Sequence, residues 1–230
     1  MFKKLPLTHI AIIPDGNRRW ARLHKLPIFK GHQKGAKQFE EILEAADKEG
    51  IHYLTMWVAS EDNLKKRSKI EVKFLVALFK KYFKKLSKSK KLQERQIRVR
   101  IFGKGKEIIK DKALSKTLSE LEKTTAKNTG AQLSFLFGYN GTTEMLEAIK
   151  KIKKPINEES LRKALWTGEL PDIDLVIRTG GEPHNSVGFM MWHSANSESY
   201  FSKMLWPDFG AKEFKKAIKE FYSRRRKRGK

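Results

Sequence analysis

Apolar positions along this chain follow two alternating rhythms. Short, nearly unbroken apolar runs occur at 9–13 (HIAII), 51–59 (IHYLTMWVA), 97–103 (IRVRIFG), 133–139 (LSFLFGY) and 174–179 (DLVIRT), and they predict five buried strands. Between them the apolar residues recur at helical spacing. Phe39, Ile42, Leu43 and Ala46 form one face over 34–49, closed by Gly50. Ile70, Phe74, Leu75, Leu78, Phe79, Tyr82 and Phe83 form a wider face over 69–86. Further helices are predicted at 106–127, 143–152, 158–166 and 211–226, and Arg18, Arg19 and Trp20 open a short one straight after the first strand. Strand and helix alternate in the manner of an α/β fold with a mainly parallel central sheet flanked by helices. Linkers are short and no internal repeat is visible, so residues 1–230 read as one domain ending in a basic tail, 224–230.

Charge changes this picture. Lys and Arg total 50 against 26 Asp and Glu, a formal net charge of +24, which attracts polyanions of any kind. No recognised nucleic-acid motif accompanies it, so nucleic acid is not expected as a partner. Apolar residues make up 39% of the chain, too many for a disordered segment. No apolar run has a bilayer-spanning length and the start, MFKKLPLTH, lacks the apolar core of a signal peptide. Cysteine is absent, which excludes disulfides and thiolate metal sites and makes the cytoplasm the expected location.

The candidate chemistry sits where strands end. In open α/β sheets ligands bind beyond the carboxyl ends of the strands. Pro14-Asp15-Gly16-Asn17 after the first strand is an ordinary tight turn by composition. Arg18 and Arg19 beside it suit phosphate oxygens, as does the start of a helix. Asp15 would repel a bare diphosphate, but it makes sense with Mg²⁺ between them, because Mg²⁺ takes one carboxylate together with phosphate oxygens. Gly31-His32 precedes the second predicted helix, and Ser60, Asp62, Asn63 and Arg67 follow the second strand, where such polar residues commonly cap the next helix. Arg178 ends the fifth strand and is followed by Gly180-Gly181, His184 and Ser186, then by Glu198 in a polar and aromatic run.

Taken together, HIAIIPDGNRRWA, GHQKG, SEDN, DLVIRTGGE and SESYFSKMLWPDF resemble the cis-prenyltransferase family, typified by undecaprenyl diphosphate synthase, in order and spacing over nearly the whole chain. The resemblance implies a homodimeric α/β fold with a hydrophobic tunnel between sheet and helices. It implies Mg²⁺-dependent condensation of isopentenyl diphosphate with an allylic diphosphate to give Z double bonds. By the same resemblance, Asp15 and Glu198 are expected at the metal. Gly16, Asn17, Arg18, Arg19, Trp20 and His32 are expected around the allylic diphosphate. Ser60, Asp62 and Asn63 match the Ser-x-Glu-Asn motif, with Asn63 tied to proton removal and Asp62 replacing Glu. Arg67 is the counterpart of a further Arg, and Arg178, His184 and Ser186 are expected at isopentenyl diphosphate. The helices 34–49 and 69–86 are expected to wall the tunnel.

Some positions depart from the family pattern. Pro14 stands where Met is usual, Ile28 where an Arg is usual, Leu64 where an aromatic is usual and Thr142 where an Arg is usual. His184 replaces the second Arg of the isopentenyl diphosphate site, with one residue inserted before Phe189. These departures carry an alternative: a weakly active or non-catalytic subunit of a heteromeric prenyltransferase. The oily product also implies peripheral contact with an anionic membrane, through the basic tail and the Lys-rich stretch 80–91, unless the tail folds onto the partner's active site.

Overall fold

The computed structural model describes residues 6–153 and 155–224. Six strands form one sheet in which every neighbouring pair is parallel. They are β1 (His9–Ile13), β2 (Tyr53–Ser60), β3 (Arg98–Phe102), β4 (Gln132–Tyr139), β5 (Leu175–Arg178) and β6 (Glu198–Phe201), in the order β3-β4-β2-β1-β5-β6. The helices are α1 (Asn17–Leu23), α2 (Ile28–Lys48), α3 (Glu61–Lys66), α4 (Lys69–Ser87), α5 (Lys90–Glu94), α6 (Gly105–Ile109), α7 (Lys112–Thr125), α8 (Gly141–Lys151), α9 (Glu158–Ala164) and α10 (Ala211–Ser223).

β1 shows why this sequence makes a central strand. All five of its residues are buried. Ile10 and Ile12 point into the core that α2, α4, α7 and α10 cover, and Ala11 and Ile13 point into a second core built around Leu170, Ile173, Phe189 and Met190. A strand covered on both faces reads as a continuous apolar run and not as an alternation. The strand order turns at β1: chain segments up to β4 lie on one side of it, and β5 and β6 lie on the other. The carboxyl ends of β1 and β5 therefore frame the crevice at which such sheets bind ligands.

Five expectations change. The helix expected at 34–49 begins at Ile28, after Pro27, so Gly31 and His32 lie inside α2 and not before it. The stretch 106–127 is two helices, because Lys110 adopts a left-handed conformation (φ 55°) and Asp111 then caps α7 by accepting from the Leu114 amide at 2.8 Å. A short helix, α3, occupies the connection between β2 and α4, started by Ser60. A sixth strand, β6, joins the sheet edge through the sequence ESYF, of which only Tyr200 is buried, so no apolar run announced it. The last helix ends at Ser223; the rest of the basic tail, 225–230, lies outside the described residues.

At the amino ends of the strands, His9 is fully buried. Its Nδ1 lies 2.9 Å from the Pro171 carbonyl and its Nε2 2.9 Å from the Thr55 hydroxyl. The carbonyl requires Nδ1 to donate, so the neutral ring accepts from Thr55 through Nε2. Burial lowers the pKa of His9 from 6.5 to about 4, and burial lowers that of the neighbouring His193 as well. A lowered histidine pKa means that the unfolded chain takes up the proton first as pH falls. The stability contributed by the neutral ring is whole above pH 6.5 and is lost progressively down to about pH 4. The loss at His9 amounts to about 3 kcal/mol. Urea unfolding at a series of pH values is expected to show this decline, and His9→Gln is expected to make it shallower. An unchanged slope in that variant would assign the decline elsewhere.

Candidate active site

The loop after β1 is built for close approach. Gly16 has φ 112°, and a Cβ there would lie 2.8 Å from the Leu205 side chain, so both conformation and space call for glycine. Thr179 clasps Asp15 from the end of β5: its hydroxyl lies 2.9 Å from the Asp15 amide and 2.8 Å from the Asp15 carbonyl. The Trp206 amide donates to the same carbonyl at 2.9 Å. The Asp15 carboxylate then faces two guanidiniums, Arg178 Nη2 at 3.1 Å from Oδ2 and Arg19 Nη2 at 3.2 Å from Oδ1.

Arg178 is buried and organises the loop that follows β5. It donates to the His184 carbonyl at 2.8 Å and to the Ser186 hydroxyl. The His184 ring is exposed, with Nε2 3.2 Å from Ser186 Oγ and Nδ1 3.8 Å from Glu182. Glu182 also meets Arg19 Nη1 at 3.3 Å. The structure thus brings Asp15, Arg19, Arg178, His184 and Ser186 into one cluster and adds Glu182 to it.

On the other side of Asp15 lies a polar cavity of about 290 Å³ lined by Asp15, Gly16, Asn17, Arg18, Arg19, Arg22, His32 and Arg67. α1 packs against α2 through two glycines: a Cβ on Gly31 would sit 2.0 Å from the Asn17 carbonyl oxygen, and one on Gly35 2.1 Å from its Oδ1. This explains both glycines of GHQKG. α1 is only seven residues long, so the arginines on it carry most of the positive charge. Trp20 is buried and donates through Nε1 to Asp208 at 2.8 Å, while Trp206 donates to the Gly35 carbonyl at 2.8 Å. The segment LWPDF is therefore the brace that holds α1 against α2.

The residue that gathers this pocket is Glu71, near the start of α4. Its Oε1 lies 3.1 Å from His32 Nε2, 3.2 Å from Arg67 Nη1 and 4.0 Å from Arg18 Nε. Glu71 is buried, and sequence reasoning passed over it because it falls inside an ordinary amphipathic helix. The signal available was an acid on that helix's apolar side, one residue after Ile70 and three before Phe74. Burial lowers the pKa of His32, so the ring is neutral near pH 7.

Four expected site residues sit elsewhere. Ser60 and Asn63 form a reciprocal helix cap at α3, with the Asn63 amide 3.0 Å from Ser60 Oγ and the Ser60 amide 3.5 Å from Asn63 Oδ1. Neither lines the two cavities. Asp62 pairs with Lys66 at 2.9 Å on the surface and does not join the pocket. Glu198 does not meet Asp15 within one chain. It is level with Leu175 at the start of β5, whereas Asp15 follows the strand end that is level with Arg178, about 10 Å further up the sheet. Arg224 Nη1 contacts the Glu198 carboxylate at 3.0 Å. Within one chain, Glu182, across Arg19, is the carboxylate beside Asp15.

The polar cavity opens onto an apolar one. A cavity of about 520 Å³ runs between α2, α4 and the sheet, walled by Phe39, Leu43, Leu75, Phe79, Phe83 and Phe135 among others. Pro14, Asn17 and His32 line both. Among the described residues no helix is long and apolar enough to cross a membrane.

A parallel α/β sheet with an arginine-rich pocket at its switch point and an apolar tunnel behind it defines a class of enzyme acting on charged-headed, oily substrates. The comparisons give the family. The prenyltransferase model described as "Putative undecaprenyl diphosphate synthase" matches residues 13–229. A tritrans,polycis-undecaprenyl-diphosphate synthase (geranylgeranyl-diphosphate specific) of Pyrococcus horikoshii is 39% identical over 96% of this chain and 86% of its own. An isoprenyl transferase of Aquifex pyrophilus is 41% identical over 100% of this chain and 98% of its own. The crystal structure of lavandulyl diphosphate synthase from Lavandula x intermedia, in complex with dimethylallyl diphosphate, superposes with a TM-score of 0.88 at 30% identity, covering 97% of this chain and 98% of that one. The chain belongs to the cis-prenyltransferase family and is a prenyl-transferring enzyme.

The Glu71 cluster yields a test of the pocket's energetics. Removing one member of a buried ion cluster leaves the others without compensation, at a cost of about 3 kcal/mol. Glu71→Ala is expected to lose that much stability in urea, and Glu71→Gln, which keeps an acceptor for His32, is expected to lose less. A loss within the range of an exposed pair, under about 1 kcal/mol, would show that solvent screens the cluster.

Proposed function

We propose that this protein elongates an allylic diphosphate with isopentenyl diphosphate, forming Z double bonds and releasing a polyprenyl diphosphate. The observation that carries the proposal is the continuity of the two cavities: an arginine-lined pocket for a diphosphate opens, past Asn17 and His32, into an apolar space for the chain.

Each group has a task in that reaction. Arg18, Arg19, Arg22 and Arg67 neutralise the allylic diphosphate, which must leave as an anion when its C–O bond breaks. Arg178 and Ser186 hold the diphosphate of the second substrate, and His184 is the exposed group beside them. Bond formation needs the two substrates in line, and the Asp15–Arg178 contact fixes one site relative to the other. Asn63, with Ser60, stays in the proposal as a positioning group at the start of α3 and not as a cavity wall. Asp15 fits a Mg²⁺ that arrives with the diphosphate, since Mg²⁺ requires only one or two carboxylates when phosphate oxygens and water complete its shell. Such an ion would supply charge neutralisation of the leaving group.

We extend the proposal to a homodimer and to peripheral contact with anionic lipid. Exposed apolar side chains on α8 (Leu146, Ile149), on the loop against its start (Met191), on β6 (Phe201) and just after it (Met204) support a second copy. The non-catalytic alternative is separated from the enzyme by one assay: the chain alone, isopentenyl diphosphate, Mg²⁺ and starters of several lengths, with chromatographic sizing of products. Product is expected without any second polypeptide; its absence sinks the proposal.

Two variants probe the site. Asp15→Ala is expected to lower turnover by at least about a hundredfold, as for an electrostatic group at a developing charge, with an unchanged circular dichroism spectrum. Turnover near the parent value would remove Asp15 from the reaction. His184→Arg is expected to lower the Michaelis constant for isopentenyl diphosphate about tenfold, from about 1.4 kcal/mol of added charge-assisted binding. An unchanged constant would mean that the exposed His184 ring does not face the phosphate.

A further inference from the structure

The rim of the tunnel mouth carries apolar side chains that the fold leaves in water. Leu23 at the end of α1 is 74% exposed and Ile70 at the start of α4 is 76% exposed; Leu26 and Phe29, where α2 begins, are 41% and 39% exposed. Scattered exposed leucines need no explanation. These four come from three segments that meet at one place. Phe29 stacks at a tilt on Phe74, one turn along α4 from Ile70, with ring centroids 5.2 Å apart. One turn beyond Phe29 is His32, which lines both cavities, and next to Phe74 is Leu75, which lines the apolar one.

Around these tips stands a ring of positive charge. Arg22, Lys25, Lys30, Lys69 and Lys73 are exposed. Among the described residues none of the five meets a carboxylate, in contrast to their neighbours Lys34, Lys65 and Lys66, which pair with Asp208, Glu61 and Asp62. In the Lys-rich stretch 80–91, at the far end of α4, Lys80, Lys85 and Lys91 pair with Asp111, Glu40 and Glu44, while Lys81, Lys84, Lys88 and Lys90 are exposed without such a pair. What that stretch lacks, among the described residues, is an exposed large apolar side chain.

We propose that this rim is a membrane-docking face: Leu23, Leu26, Phe29 and Ile70 insert at the headgroup–acyl boundary of an anionic bilayer while Lys25, Lys30, Lys69 and Lys73 contact its headgroups, setting the tunnel mouth against the membrane. Apolar tips within a basic surround are what interfacial binding requires, and each basic residue near an anionic leaflet adds attraction that salt screens. A second copy of this chain is disfavoured on the same face, because a two-fold contact would set the uncompensated charges against their own images. The purpose of the docking rests on the proposed prenyl transfer, since it delivers an oily product from the mouth to lipid without a passage through water. The docking itself needs no turnover.

The chain has no cysteine, so a single introduced one takes an environment-sensitive fluorophore cleanly. Full-length Leu23→Cys, Ile70→Cys and Lys84→Cys, each labelled, are mixed with vesicles of phosphatidylcholine alone or with added phosphatidylglycerol. Emission from positions 23 and 70 is expected to shift blue on the anionic vesicles only, with position 84 unchanged and the shift weakened by salt. In flotation with the same vesicles, the unlabelled double variant Leu23→Asp/Ile70→Asp is expected to bind about tenfold more weakly than the parent chain. A shift at 84 without one at 23 and 70 overturns the assignment, as does a parent chain that does not float with anionic vesicles. A double variant that changes oligomeric state and keeps its vesicle affinity overturns it too, making the patch a contact between copies. Prenyl transfer is measured separately, in detergent without vesicles. Missing product there, with vesicle binding intact, overturns the proposed reaction and leaves the docking face standing.

Discussion

The Asp15 carboxylate, held between Arg19 and Arg178, is the contact on which the site depends. Arg19 belongs to α1 and Arg178 to the end of β5, so one side chain ties the two loops that leave the sheet on either side of its switch point. Arg178 in turn holds the His184 carbonyl and Ser186, and Thr179 holds the Asp15 backbone. The loop after β5 has few apolar anchors over 180–186 and takes its shape from these polar contacts. Four arginines (Arg18, Arg19, Arg22, Arg67) with few acids around one pocket repel one another. Asp15 and Glu71 offset that repulsion from two sides, Asp15 at the sheet and Glu71 from α4. The pocket is thus preset for an anion, and the protein itself supplies provisional ones.

The second constraint is the junction of polar and apolar space. Asn17 and His32 sit on the boundary, and both are fixed by backbone packing that only glycine allows at positions 31 and 35. Among the described residues, these two are the polar side chains that line both the polar pocket and the apolar tunnel. Burial keeps His32 neutral, so the boundary adds no further charge against the apolar walls.

The fold class was legible in the sequence for a physical reason, while the grouping of Asp15, Arg18, Arg19, His32, Arg67 and Arg178 at one site was an expectation from the family resemblance. Strands buried on both faces write themselves as apolar runs, and turn chemistry after β1 and β5 requires glycines at recognisable places. What could not be read has equally physical causes. β6 is an edge strand held by backbone bonds to β5, which leave no mark on side-chain pattern. Glu71 becomes conspicuous only when Arg18 of α1, the His32 ring of α2 and Arg67 at the end of α3 converge on it. Asn63 and Ser60 carried two compatible readings, cap and site, and the cap is the one their side-chain contacts display.

Glu198 is expected beside Asp15 at a cation only by the family resemblance; within one chain the two stand at opposite ends of the sheet, and Arg224 contacts the Glu198 carboxylate. That salt bridge has its own consequence. It anchors the end of α10 to the sheet edge, together with the Arg224 bond to the Ser199 carbonyl at 2.9 Å, and so fixes where the basic tail departs. Arg224 lies at the lower end of β6, whereas the tunnel mouth opens at the upper ends of β1 and β5. Within one chain the tail and the basic rim at Leu23 and Ile70 therefore start from opposite ends of the sheet, and whatever holds the mouth to a surface is argued from the rim's own side chains.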